Sequence, residues 1–300
     1  MRHRPVSVVA LFILVPAAVI FGQGGKVSIR LLPKPNRTAH FEMTQEMYMD
    51  VIYEGTADAS EQQSPNLVKM TGKSTFAFTQ KNGAMNKQGK MEAQVTYNKL
   101  SMKRSMNGEA MPLEDAGDKL IGKTITLIFD KEGNVVDVKV PREVEIPADM
   151  FKQIMTSMYN NLPKDPLAIG ETTTMPFSMT LPIPEVGPDP LNMEGQTRYK
   201  LVAIAKDGGD RMARFEQTVE ATLAKTIEVD TLNGKGKVKI EFKLTGGGGL
   251  ELNLGKGILK TGDMLTTIDG KMEMAPDLPN AKLQKIMLHG TTKMVSSGHN

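Results

Sequence analysis

Residues 41–53 read FEMTQEMYMDVIY, and their alternation decides the fold. Phe41, Met43, Met47, Met49, Val51 and Tyr53 occupy odd positions, with Gln45 the single polar interruption. Glu42, Thr44, Glu46, Tyr48 and Asp50 stand between them. Successive side chains of an extended chain point to opposite faces, so a two-residue period means a strand with one buried side.

The same period recurs on both sides of this stretch. Val68, Met70, Ser74, Phe76 and Phe78 alternate on even positions, and Met91, Ala93, Val95 and Tyr97 on odd ones. Leu100, Met102 and Met106 then fall on even positions. One extra residue near Asn98-Lys99 accounts for that change of phase, as in a β-bulge. Ile125, Leu127 and Phe129, a turn at Asp130–Asn134, and Val136, Val138 and Val140 predict a hairpin. Thr172–Leu181 reads as a further strand. Tyr199, Leu201 and Ala203, then Ala213, Phe215, Val219 and Ala221, then Val238, Ile240, Phe242 and Leu244 continue the pattern. Gly246–Gly249 predicts a bend or joint. Leu250, Leu252 and Leu254, then Met264, Ile268, Met272 and Met274, and a last run over 283–295 complete about a dozen strands.

One segment has a different period. Phe151, Ile154, Met155, Met158, Tyr159 and Leu162 recur at helical spacing between Pro147 and Pro163, which predicts an amphipathic helix over 148–162. Its apolar stripe needs an apolar surface, and a sheet face is the one available. The expected fold is mainly β (α+β): a large curved antiparallel sheet or half-barrel with this helix packed against it. The expected organisation is a signal peptide over 1–24, a first β half over 25–181, a Pro-rich connection over 182–190 (four prolines, unsuited to a sheet interior) and a second half over 191–300. The two halves are expected to form one continuous fold.

The leader follows from charge and hydropathy. Arg2, His3 and Arg4 precede the uncharged, mostly apolar run Val6–Gly22, the layout of a secretory signal. A spanning helix needs roughly 20 apolar residues, more than this Pro16-interrupted run supplies. An exported protein, periplasmic or extracellular in a bacterium, is expected, with no integral membrane segment after cleavage. Without Arg2 and Arg4, the 37 Lys+Arg and 34 Asp+Glu nearly balance. That gives no electrostatic footprint for nucleic acid. The chain has no Cys, so there are no disulfides and no thiolate sites. With 300 residues it is long enough to fold on its core alone.

Nothing in the sequence has the form of a catalytic centre. His40, His289 and His299 have no neighbouring nucleophile motif. The acid pairs Glu114-Asp115, Glu143/Glu145 and Asp207/Asp210 lack the apolar surroundings that raise a carboxyl pKa. Gly246–Gly249 lacks the Lys-Ser/Thr of a phosphate loop. Asn36-Arg37-Thr38 matches a glycosylation acceptor. A non-enzymatic protein without a cofactor is expected.

Methionine is the compositional signature: 22 of 300 residues, with no Trp and 5% aromatics. Thioether side chains are flexible and fill irregular space. A Met-rich concavity suits apolar partners of varied shape. The expected activity is binding of an apolar ligand, a lipid or lipidated partner, with Phe151, Ile154, Met155, Met158 and Tyr159 as candidate ligand-binding residues. The alternatives are an envelope structural or interaction protein without a small ligand, and Cu(I) handling through Met43, Met47 and Met49.

The stretches FEMTQEMYMDV, LIGKTITLIFDKEGNVVDVKV, LPKDPLAIGE and GGGGLELNLGKGILKTGDML, in this order, resemble a family of exported, Met-rich, β-rich bacterial proteins with no established activity. The resemblance spans about Leu31–Ala275. Thr172-Thr173-Thr174 stand after Gly170-Glu171 where that family often has an aromatic. A curved sheet with a helix against it is also similar, by fold analogy alone, to the half-barrels of periplasmic lipoprotein and lipid carriers.

Overall fold

The computed structural model describes residues 26–29, 34–54, 66–111, 120–141, 152, 163, 165–181, 191–231, 234–274 and 285–299. Among them are twelve strands: β1 Thr38–Glu54, β2 Asn66–Met85, β3 Met91–Met106, β4 Glu109–Ala110, β5 Thr124–Phe129, β6 Val135–Lys139, β7 Thr172–Leu181, β8 Leu191–Asp207, β9 Asp210–Thr231, β10 Gly234–Asn253, β11 Ile258–Met274 and β12 Lys285–His299. They form one antiparallel sheet in the order β6-β5-β3-β2-β1-β12-β11-β10-β9-β8-β7, with β4 paired to β3. The signal peptide, the Pro-rich connection and all of the predicted helix except Lys152 lie outside the described residues.

Strands of 15–22 residues make up most of the sheet, against a usual length of about five or six. Such length needs uninterrupted alternation, and β1 has it: Ala39, Phe41, Met43, Gln45, Met49 and Val51 are buried. The bulge expected at Asn98 is present, since Ala77 pairs with Lys99 and Phe78 with Tyr97. That skipped residue keeps Leu100 on the inner side with Val95. The edges are blunted. β6 has five residues, and β7 carries Pro176 opposite Gln196. A proline without an N–H is tolerated there because an edge strand pairs on one side only.

The sheet is folded over on itself. One continuous buried cluster joins Ile125, Leu127 and Phe129 of β5 to Ala213 and Phe215 of β9 and to Leu250 and Leu252 of β10. In the ladder β5 and β9 stand seven strands apart, about 34 Å in a flat sheet at ~4.8 Å per strand. Only strong inward curvature brings them into one core. The gap between the two ends is filled by Val27, Ile29 and Leu167, all buried in the same cluster. Val27 and Leu167 exchange backbone hydrogen bonds of 2.7 and 2.8 Å.

Three sequence expectations are corrected. Gly246–Gly249 is no joint: β10 runs through it without a break, paired on both sides. A Cβ on inward Gly248 would collide with the Asp263 carbonyl, and one on inward Gly195 with the Glu220 carbonyl. The glycines let the strands close in where the sheet curves. In the β5–β6 hairpin, Val136 is skipped in the register. Val135 and Val138 are therefore the buried pair, and Val136 is 42% exposed. In β8, Val202 is skipped between Leu201 and Ala203, so Ile204, and not Ala203, packs against the core.

Candidate functional site on the inner face

The two faces of the sheet have opposite chemistry. Outward positions alternate basic with acidic residues across neighbouring strands: Lys69–Asp50–His289–Asp269–Lys243 in one row and Glu54–Lys285–Glu273–Lys239 in another. Direct pairs include Lys285 Nζ to Glu54 Oε2 at 3.0 Å and His289 Nδ1 to Asp269 Oδ1 at 2.6 Å. Opposite charges facing across strands favour this register over its slips. Inward positions are apolar. One transverse row reads Met106–Met70–Met49–Gly290–Ile268–Leu244–Ala221–Gly195–Phe177 from β3 to β7. A barrel that spans a bilayer has the reverse pattern, apolar outside.

The inner face is not sealed uniformly. Leu201, Phe215, Phe129 and Ala93 are fully buried where the ends of the sheet meet. On β1–β3, toward the β4 end, Met47, Met70, Met102 and Met106 are only half-buried. Two features shape this surface. Gly72 lies opposite Met47, and a Cβ placed on it would stand 3.4 Å from Met47 Cε, so the thioether fills the space left by the missing side chain. Arg104 pairs with Gly72 from the other side and so points to the same inner face. It is half-buried, the one charged residue on the inner face of β1–β3.

Met43 and Met49 are buried and Met47 is half-buried. Met43 packs in a second apolar cluster with Phe76, Met264 and Met294. Phe151, Ile154, Met155, Met158 and Tyr159 lie outside the described residues. Arg104 was missed from the sequence although the signal was present. Once the phase changes at Asn98, the face of Leu100, Met102 and Met106 includes position 104. Among the described residues no three His, Asp or Glu side chains gather as a metal centre, and no helix is long and apolar enough to cross a membrane.

Two tyrosines mark how dry the sealed end is. Burial pushes the phenols of Tyr97 and Tyr199 up to about 12, because the phenolate loses solvation there. On the outer face, the Lys73 ammonium donates to Glu46 Oε1 at 2.8 Å. It holds the Glu46 carboxyl below the usual range, and its own affinity for a proton rises in return.

These features define a class: an open, inward-curved antiparallel β-sheet protein with a charged exterior and an apolar interior. Among known proteins, no family model matches the sequence, and no curated protein matches it. The structure titled "Lipid-protein interactions in lipovitellin" is similar at a TM-score of 0.43 and 11% identity, over 87% of this chain. The chain spans 25% of that protein's length. The toluene transporter TodX of P. putida aligns at a TM-score of 0.16 and 6% identity, over 87% of this chain and 90% of the transporter. Neither score reaches the level of a shared fold.

Proposed function

We propose that the protein is an exported, non-enzymatic carrier that holds an apolar ligand of the acyl-chain class on the inner face of β1–β3, with Arg104 receiving an anionic head group. The observation that carries this reading is the half-buried quartet Met47, Met70, Met102 and Met106 around a single cation. At the sealed end of the same face Phe129, Leu201 and Phe215 are closed to water, whereas Phe177 of β7, Ile227 of β9 and Ile268 and Met272 of β11 are partly buried as well. Half-exposed thioethers on a folded-over sheet adapt to a flexible chain at small rotamer cost. A guanidinium among them suits a carboxylate or phosphate, which it grips with paired hydrogen bonds. Among the described residues Arg104 makes no ion pair, so its charge is available to a ligand.

The test is extraction of the protein purified from its native compartment without detergent, followed by mass spectrometry. A bound species with an acyl chain and an acidic head group is expected. It should be lost from Met70→Glu, which puts a like-charged, hydrated group in the path of the chain. An extract free of lipid would reject the carrier reading.

A further inference from the structure

The outer face carries a second arrangement, independent of the inner-face reading. Three adjacent strands present six outward side chains as a two-by-three block. Glu46 faces Lys73, which faces Lys103, and Tyr48 faces Thr71, which faces Ser105. A depression of about 350 Å³ lies over this block, bordered also by Gly72, Arg104, Gly108 of the β3–β4 turn and Ala110 of β4. That volume falls within the range of small-molecule sites, roughly 300–1,000 Å³.

The charges here depart from the alternating rows described above. Lys73 has its partner in Glu46, and Lys293 stands on the far side of Glu46. Lys103 makes no hydrogen bond or ion pair among the described residues, yet it lies directly opposite Lys73. Like charges facing each other across strands are destabilising. An anion lodged between the two ammonium groups reverses that term. Beside them, Thr71 Oγ1 and Ser105 Oγ are 2.7 Å apart. One hydroxyl donates to the other, which leaves one O–H and several lone pairs for a ligand. Tyr48 is 57% exposed, the one large aromatic exposed in this way among the described residues. It offers a flat apolar face next to the polar groups.

We propose that this block is a binding site for an anionic saccharide: a sugar ring bearing a phosphate, sulfate or carboxylate. The ring's C–H face stacks on Tyr48. Its hydroxyls exchange hydrogen bonds with Thr71 and Ser105. The anionic group sits between Lys73 and Lys103. Glu46 holds the Lys73 ammonium from the β1 side at 2.8 Å, so the anion approaches that ammonium from the Lys103 side.

Glucose 6-phosphate is the probe, titrated into the full chain and followed by NMR at Tyr48, with glucose and inorganic phosphate as controls. Saturable binding is expected, with each control at least about tenfold weaker because each lacks one of the two contacts. Lys103→Met is expected to weaken binding about tenfold without lowering the thermal midpoint, since it removes a like-charge contact. Tyr48→Ser should weaken it while leaving the phosphate control unchanged. A parallel arm with phosphatidylinositol vesicles against phosphatidylcholine vesicles separates sources. Binding there identifies a lipid head group, and binding only in solution identifies a free glycan. Absence of saturable binding, equal affinity for inorganic phosphate, or unchanged binding by Lys103→Met would each overturn the proposal. So would a like loss of thermal midpoint and affinity in both variants, which would mark these residues as structural.

Discussion

The two ends of the inner face use the same alternation to opposite effect. At the sealed end, β3 and β5 meet β8, β9 and β10, and Val27, Ile29 and Leu167 fill the gap between them. At the other end, the same strand β3, with β1 and β2, presents methionines that remain half-buried. The difference teaches that periodicity assigns a face but not its closure. Closure depends on whether the sheet curves far enough for distant strands to meet, and inward glycines control that curvature.

The sharpest way to break this contrast is at the curve itself. Gly247 and Gly248 are neighbours in β10, yet they differ in what surrounds an added Cβ. At Gly248 it would run into the Asp263 carbonyl, whereas at Gly247 the nearest atom is 3.7 Å away. Gly248→Val is expected to cost more than about 4 kcal/mol, the level of a core-disrupting change. It should abolish the cooperative melt seen by circular dichroism. Gly247→Val should be tolerated or mildly stabilising, because a β-branched residue suits an outward strand position. Equal effects at the two sites would remove the basis for assigning curvature to inward glycines.

A smaller effect separates the two ends directly. Phe215 has no exposed surface, and Phe215→Ala should cost about 3–5 kcal/mol in chemical denaturation. Met70→Ala, at a half-buried site, should cost about 1 kcal/mol, since its side chain is only partly removed from water. Comparable costs would mean that the β1–β3 face is as closed as the other end.

Smallest is the response to pH. With folded-state phenols at about 12 and ordinary values near 10, Tyr97 and Tyr199 favour the folded state fully below pH ~10. That contribution is lost as pH rises toward 12. Alkaline absorbance titration should show two phenols ionising only with the unfolding transition. At acid pH the sign reverses. Asp207 and Asp137 are held low by hydrogen bonds from Lys260 and Lys152, so their support is present above the ordinary aspartate value and falls away below it. Because these pairs are exposed and screened, only a modest drop in the melting point is expected between pH 5 and 3.

Much of this architecture is legible in local sequence. The run from Phe41 to Val51 assigns β1 and its buried face, and the change of phase at Asn98 announces the bulge. What escapes is non-local. Four consecutive glycines signal a break when read alone. Their actual role is set by β9 and β11, which lie against them in the ladder. Val136 changes faces because its partner strand skips it, and no count along the chain records that. The lysine pair at Lys73 and Lys103 depends on a register between strands. Arg104 was within reach, needing only the corrected phase to be carried one residue further. The helical stripe over 148–162 lies outside the described residues, so the candidate site rests on the strands.

The central claim is that the half-buried methionines of β1–β3 form an open apolar surface with a cation for a ligand's head group. Displacement of the fluorescent fatty acid cis-parinaric acid by oleate tests it most directly, with unmodified protein, Met70→Glu and Arg104→Ala side by side. Saturable binding should fall at least about tenfold in each variant, with oleyl alcohol, which lacks the carboxylate, insensitive to Arg104→Ala. Absence of binding, or affinity unchanged by both substitutions in folded protein, would contradict the account.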